Sequence, residues 1–200
     1  MADGPRPPAP SADPPSRWSL GLVRAQGVQS DLAEIVPHAA QGHLHRAAST
    51  LTGLLLRREL RTPDWAALPS GLATAGWSAS QSLEFSVEQF QGVSHNRALS
   101  LVWRPALGTG GPGRAGWQLA WGLGWWHSAG RPWYHHAGHP EVERRWHNLL
   151  AMTPEVAWRP AAAPAWSLAL RVHHVSGAYG LVAPAQVGTN HMAVVLMRDL

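Results

Sequence analysis

The segment W-Q-L-A-W-G-L-G-W, residues 117–125, decides the fold class of this chain. Side chains of a β-strand point alternately to the two faces of a sheet. One face of this segment is therefore large and apolar, with Trp117, Leu119, Trp121, Leu123 and Trp125. The other face is small or polar, with Gln118, Ala120, Gly122 and Gly124. This contrast is typical of a narrow transmembrane barrel, with lipid outside and a crowded lumen inside.

Seven further segments predict strands, and together they indicate an all-β fold, an eight-stranded antiparallel transmembrane β-barrel. Five of them lie near residues 18–28, 43–60, 83–88, 99–104 and 146–159, and two more form the C-terminal part, 166–200. The segment 43–60 alternates poorly, and its pattern also allows a helix. Residues 29–42 form a long polar connection. We predict one barrel domain over residues 18–200, after a disordered Pro-rich segment over residues 1–17.

Tryptophan is unusually abundant, with 12 residues against two Tyr and two Phe. Amphipathic indole rings are most at home at a membrane interface. No segment approaches the roughly 18 consecutive apolar residues of a spanning helix, so a bilayer could be crossed only by a closed barrel. A soluble barrel or sandwich would instead bury the Trp stripe. Periodicity does not separate these alternatives, but the Trp count and the Gly-rich opposite face favour lipid outside.

The strand periodicity places five charged residues on inward positions: Glu84, Glu88, Glu155, Arg104 and Arg171. Charges are costly in a low-dielectric lumen unless they are paired. We therefore expect these side chains to form ion pairs with one another.

Composition excludes several function classes. The formal charge is +4, yet the cations are all Arg and form no dense stripe, so nucleic-acid binding is not expected. The absence of Cys excludes disulfides and thiolate metal sites. Residues 1–17 lack the apolar core of a secretory signal peptide, so the export signal of an outer-membrane protein is not visible in them. The oligomeric state is left open.

A candidate catalytic group lies in the two C-terminal strands. On the first, His174 and Ser176 continue the parity of the apolar stripe; on the second, Asn190 begins the apolar side. Residues i and i+2 of a strand lie about 6.6 Å apart, two rises of about 3.3 Å, so an imidazole can reach the Ser hydroxyl. A base that activates Ser, oriented by a third side chain, is the arrangement for ester hydrolysis. A His and a Ser at the wet end of a strand are also common in barrels without catalytic function.

The C-terminal unit resembles the PagL-type lipid A 3-O-deacylases, eight-stranded outer-membrane barrels. The catalytic unit of that family reads H-x-S-N, a loop with Pro, then G-x-E. This chain reads His174-Val-Ser176-Gly177, then Pro184, then G-T-N ending at Asn190. The resemblance extends over about residues 83–198, more by pattern than by identity.

The resemblance implies His174 as general base, Ser176 as nucleophile and Asn190 as the orienting group. It also implies an active site on the outer wall of a barrel in the outer membrane, lipid A of lipopolysaccharide as substrate, and hydrolysis without a cofactor. This chain departs from the pattern at two positions. Gly177 replaces an Asn that would donate to the oxyanion, a role in which the Gly177 N–H is expected to substitute in part. Asn190 stands where the family pattern has Glu. A catalytically silent outer-membrane barrel and a soluble barrel that binds an apolar ligand are the alternatives.

Histidines suggest two metal sites, neither of which we favour. One is a His-rich segment with His135, His136, His139, Glu141 and Glu143, near His127 and His147. Such spacing could hold Zn²⁺, but a hydrated loop explains it better. The other is the pair His43 and His45, which no carboxylate follows at useful spacing. We predict no metal and no cofactor.

Overall fold

The chain folds into a closed barrel of eight antiparallel strands, as predicted. The structure is a computed structural model that describes residues 17–63, 67–92, 95–110, 114–130, 146–183 and 187–200. The strands are β1 Trp18–Val28, β2 Arg46–Leu60, β3 Ser78–Gly92, β4 Asn96–Gly108, β5 Gly116–Ser128, β6 Asn148–Arg159, β7 Trp166–Ser176 and β8 Gly188–Asp199. Each strand pairs with its neighbours in sequence, and β8 pairs with β1 to close the barrel.

Outside the strands, the described residues form two short helices and a 3₁₀ turn. Helix α1 spans Leu32–Ala40, helix α2 spans Ser70–Thr74, and a 3₁₀ turn spans Ala178–Gly180. Helix α1 lies within the connection that the sequence showed only as long and polar. Within the described parts of the chain, none of the helices is long and apolar enough to cross a membrane. The segment near 43–60 is the strand β2, so the helical alternative for it is wrong.

The orientation of the barrel wall agrees with the prediction from residues 117–125. Trp117, Trp121 and Trp125 point away from the lumen, with exposed fractions of 57%, 51% and 47%. The opposite face of β5 is close to other side chains: a Cβ on Gly122 would lie 2.1 Å from Thr153 Oγ1 and 2.7 Å from Arg104 Nη1. Small residues on this face therefore make room for large polar side chains in the lumen.

A group of five charged side chains fills the middle of the lumen, and we call it the charge cluster: Arg57, Glu84, Arg104, Glu155 and Arg171. Arg171 bridges the two acids, with Nη1 2.8 Å from Glu84 Oε1 and Nη2 2.6 Å from Glu155 Oε2. Arg57 Nη2 lies 2.6 Å from Glu84 Oε2, and Arg104 Nη2 lies 3.1 Å from Glu155 Oε2. The predicted ion pairing of these acids is therefore present. Arg57 was missed because the alternation of β2 is weak in the sequence.

Glu88 corrects one detail of the predicted ion pairing. It is buried and points inward as expected, but its carboxylate accepts from Ser86 Oγ at 2.7 Å and from Trp126 Nε1 at 3.0 Å. The His173 imidazole lies close by, with Nε2 3.5 Å from Glu88 Oε2. Glu88 thus belongs to a group of hydrogen-bonded side chains next to the charge cluster. Trp126, which contacts it, lies in the lumen and not at the membrane interface.

Candidate active site

The barrel brings the three predicted catalytic residues together on its outer wall. In the antiparallel register of β7 and β8, His174 lies directly opposite Asn190, and Ser176 lies opposite Gly188. All three side chains have the outward parity of Leu168 and Leu170 on β7. His174 and Ser176 are half-buried, and Asn190 is buried. The site therefore lies where β7 ends and β8 begins, at the end of the barrel opposite the chain termini, which we call the loop end.

Hydrogen bonds fix the protonation pattern of His174. Asn190 Nδ2 donates to the carbonyl oxygen of Ser30 at 2.8 Å, so the amide oxygen of Asn190 faces the histidine. His174 Nδ1 lies 2.5 Å from that oxygen. A carbonyl-type oxygen only accepts, so Nδ1 must carry the proton. The neutral ring then has its lone pair on Nε2, which is the form that a general base requires.

Ser176 is placed beside His174 without a direct hydrogen bond between their side chains. Its Oγ accepts from the backbone N–H of Ala178 at 3.3 Å. Two residues on one face of a strand are about 6.6 Å apart, which a rotation of the two side chains can bridge. Catalytic hydrogen bonds are often loose before substrate binds. The structure thus orders the His174–Asn190 pair of the predicted catalytic group, and its Ser176–His174 contact is not formed.

The expected oxyanion role of Gly177 is wrong. The Gly177 N–H donates to the carbonyl oxygen of Val187 at 2.8 Å, so it is already engaged in closing the loop between β7 and β8. The next residue, Ala178, has a φ of +52°, in the left-handed region that residues with a Cβ rarely adopt. The Ala178 N–H donates to Ser176 Oγ at 3.3 Å. Ala178, and not Gly177, therefore supplies the backbone N–H that contacts the Ser176 hydroxyl.

Helix α1 covers the outer wall next to the site. Its Ile35 is fully buried against Val28, Val172 and Met192, which are outward residues of β1, β7 and β8. Val172 and Met192 pair across the strands, two residues from His174 and Asn190 on the same face. The segment before α1 supplies the Ser30 carbonyl that holds the Asn190 amide. The first connection of the barrel thus forms one side of the site, which the sequence did not reveal.

A carboxylate also lies near the site, at the start of α1. Asp31 is the residue before the helix, is exposed, and makes no side-chain capping bond. It directly follows Ser30, whose carbonyl oxygen accepts from the Asn190 amide. Asp31 is therefore a source of negative charge beside a base whose hydrogen-bonding partner, Asn190, is neutral.

The two histidine groups do not form a metal centre in the part of the chain that the structure describes, where no cluster of three or more His, Asp or Glu ligands occurs. His127 Nδ1 lies 2.9 Å from Asn148 Oδ1, and His147 Nδ1 lies 3.0 Å from the carbonyl of Ser128. The remaining residues of the predicted His-rich segment lie outside the described residues: His135, His136, His139, Glu141 and Glu143. Pro184 of the C-terminal unit also lies outside them.

The barrel is similar to that of the outer membrane enzyme PagL, known from a crystal structure. The TM-score is 0.62 at 10% sequence identity, over 91% of this chain and 99% of PagL. The outer membrane protein AlkL, studied by solid-state NMR in DMPC lipid bilayers, gives a TM-score of 0.38 at 12% identity, over 100% of this chain and 97% of AlkL. No family model and no curated protein sequence matches the chain. At such low identity the likeness to PagL concerns the fold, and the chemistry rests on the residues of the site.

Proposed function

We propose that this protein is an outer-membrane lipid A 3-O-deacylase, a serine esterase that acts on a lipid reaching it from the side. The observation that carries the proposal is the ordered His174–Asn190 pair, with Ser176 beside it, on the outward face of the barrel. A polar group that includes a nucleophile, on a largely apolar wall, is suited to a substrate that is itself in the membrane. The motif resemblance to the PagL-type deacylases supplies the substrate class.

The barrel wall supports a membrane location. The outward positions carry large apolar side chains such as Leu22, Trp117 and Leu170, exposed by 58%, 57% and 60%. The lumen holds the charge cluster, which is the reverse of a soluble barrel that stores an apolar ligand. A band of apolar side chains outside and polar side chains inside is the pattern of outer-membrane barrels. Interfacial Trp residues at the strand ends, such as Trp18 and Trp166, are consistent with it.

The proposed reaction uses the side chains in named roles. Ser176 Oγ attacks the carbonyl carbon of the 3-position ester while His174 Nε2 takes its proton. The tetrahedral intermediate collapses by breaking the bond to the sugar oxygen, which receives that proton from His174. Water, deprotonated by His174, then attacks the acyl-serine. The bond to Ser176 Oγ breaks, Ser176 Oγ takes the proton from His174, and the hydroxy fatty acid is released. In the proposal the Ala178 N–H, which contacts Ser176 Oγ, stabilises the negative oxygen of the tetrahedral intermediate in each of the two steps.

Two groups support His174 in this reaction. Asn190 holds the Nδ1–H tautomer, as Asn does in papain-like triads. The imidazolium that forms after proton transfer needs a nearby negative charge, which an amide does not provide. In the proposal Asp31 provides this charge through space. Two residues thus replace the single carboxylate of other triads: Asn190 orients the imidazole, and Asp31 stabilises its positive charge.

The direct test is mass spectrometry of lipid A from outer membranes of cells that express the full chain. Wild-type protein should convert lipid A to a species that lacks one hydroxyacyl chain. Ser176→Ala should not, while Thr50→Ala, which removes an outward hydroxyl on β2, should behave as wild type. Barrel folding is checked for each variant by heat-modifiable gel mobility. Unchanged lipid A with folded wild-type protein would reject the proposal and favour a catalytically silent barrel.

A further inference from the structure

A row of polar side chains crosses the outer wall on β1 to β4, next to the proposed active site. Arg24 pairs with Thr52, Thr52 with Gln89, and Gln89 with Arg97 in the register of the four strands. All four have outward parity. We call them the arginine row, after the residue at each end. The next outward row towards the chain termini is wholly apolar: Leu22, Leu54, Val87 and Leu99.

The arginine row borders a groove in the wall of about 800 Å³. The groove is lined by Arg24 and Arg97 and by apolar side chains that include Leu54, Val87 and Val194. Val194 belongs to β8 and has the same outward parity as Asn190, four residues away. Met192, between them on this face, packs against Ile35 of helix α1, so the groove and the His174–Asn190 pair lie on either side of that contact. They are about 13 Å apart along β8, four rises of about 3.3 Å, a distance that one lipid with several acyl chains could span.

Arg24 and Arg97 have few hydrogen-bond or ion-pair partners within the described protein. In the described part of the chain, Arg24 has no ion-pair or hydrogen-bond partner, and Arg97 has one neutral acceptor, Gln89 Oε1 at 3.3 Å from its Nε. No outward position of the eight strands carries an acidic residue; the strand carboxylates all have inward parity. An Arg on an apolar wall is costly without an anion.

The outward arginines at the opposite end of the barrel pack against aromatic rings. Arg58 lies over the ring of Trp18, with 5.4 Å from Cζ to the ring centroid, and Arg198 lies over Trp166 at 5.5 Å. Each pair faces directly across neighbouring strands. These two cations are covered by aromatic faces, whereas Arg24 and Arg97 face the groove. The contrast indicates that the anion partner of the arginine row comes from outside the chain.

We propose that the groove binds the substrate lipid, with its acyl chains on the apolar floor and a headgroup phosphate on Arg24 and Arg97. Arginine is suited to this because its planar donor fork binds phosphate oxygens in pairs, and Thr52 and Gln89 add neutral donors between the two cations. The apolar floor selects a lipid phosphate over a free one. This inference rests on the proposed function for the identity of the lipid, and it adds a requirement for phosphate on that lipid.

The test measures binding separately from catalysis. Full-length Ser176→Ala protein in detergent is titrated with bis-phosphorylated lipid A and with its monophosphorylated form, and bound lipid is counted by native mass spectrometry. We expect the monophosphorylated form to bind about tenfold more weakly, the factor for losing one charge-assisted hydrogen bond. The double variant Arg24→Gln, Arg97→Gln should bind both lipids equally. The matched control Arg58→Gln, Arg198→Gln should keep the preference.

Three outcomes would overturn the inference: equal binding of the two lipids by the parent protein, an equal effect of the control pair, or displacement of the lipid by inorganic phosphate alone. In the active protein, Arg24→Gln with Arg97→Gln should raise KM and leave kcat unchanged, because the row contacts the headgroup phosphate and not the reacting ester. Phosphate-dependent binding without any Ser176-dependent deacylation would reject the proposed reaction while keeping the groove. Deacylation that does not change when the two arginines are replaced would reject the groove as the lipid site while keeping the proposed reaction.

Discussion

The amide oxygen of Asn190 lies 2.5 Å from Nδ1 of His174, and the Ser30 carbonyl decides which end of that amide faces the imidazole. A backbone oxygen can only accept, so it selects the amino group of Asn190 and leaves the oxygen for the histidine. The chain thereby sets a histidine tautomer through a backbone atom 160 residues away in sequence. A neutral side chain can orient a base as well as a carboxylate can, though it stabilises the imidazolium less.

Without the Asn190 amide, nothing would hold the His174 ring in the Nδ1–H tautomer. We expect Asn190→Ala to lower kcat by about 10²-fold, the scale of a general-base contribution, with a smaller change in KM. Asn190→Asp keeps an acceptor for His174 and adds charge, but opposes the Ser30 carbonyl, so it should retain more activity than Asn190→Ala. The ¹⁵N chemical shifts of the His174 ring provide a second readout, since wild type should show a protonated Nδ1. A predominantly Nε2–H ring in wild type would contradict the assignment.

Sequence periodicity predicted the barrel because the two faces of β5 differ so strongly in size and polarity. It also predicted the inward acids, the outward Trp stripe and the His174–Ser176–Asn190 group, since each of these follows from parity along a strand. It missed Arg57 because β2 contains apolar side chains on both faces. A pattern of period two carries no information about a residue whose neighbours do not alternate.

Features that depend on the loops could not be obtained in this way. The packing of Ile35 of α1 against Val28 and Val172, the Ser30 carbonyl and the left-handed Ala178 are tertiary arrangements. The expectation that the Gly177 N–H would replace the missing Asn donor was wrong for the same reason. The loop brings the Val187 carbonyl to this N–H and engages it. The signal for α1, an apolar pair at Ile35 and Val36, is too short to mark a helix by periodicity.

The charge of Asp31 is tested by removing it without changing its size. We expect Asp31→Asn to lower kcat roughly three- to tenfold, the effect of losing about 1 kcal/mol of charge stabilisation near a protein surface. Because exposed charges are screened, the difference from wild type should shrink at high salt. Glu34→Gln is the matched control, since Glu34 is an exposed acid in the first turn of the same helix. An equal loss with Glu34→Gln would show a general charge effect instead of a specific one.

Anchoring of α1 is tested at its buried residue. Ile35→Ala should remove about 2–5 kcal/mol of packing free energy at this contact, so that the helix leaves the barrel wall and kcat/KM falls. The barrel should stay folded, because the strand pairing does not involve Ile35. Faster hydrogen exchange over residues 30–40 with unchanged heat-modifiable gel mobility would show this. Val36→Ala on the same helix, at a residue exposed by 69%, should leave both exchange and activity as in wild type.

Stability of the barrel should depend on the balance of charges in its lumen. Glu84 contacts Arg57 and Arg171 within 3 Å, so Glu84→Gln leaves three arginines of the charge cluster with Glu155 as their acid. Breaking a buried ion pair from one side costs about 3–5 kcal/mol, because the remaining charge is left unpaired. We expect a loss of that size in the free energy of unfolding, measured by urea titration of the barrel in lipid vesicles.

Glu88→Gln is the matched control for this loss. Glu88 is buried on the same face of β3, four residues from Glu84, but accepts hydrogen bonds from Ser86 and Trp126 instead of from an arginine. A glutamine oxygen can accept from Trp126 while its amino group donates to Ser86 Oγ, and no arginine loses a partner. The free energy of unfolding should therefore change by less than about 1.5 kcal/mol, the range of a single neutral hydrogen bond. Equal losses for the two substitutions would show that burial of the position, and not the pairing of charges, determines the stability of the lumen.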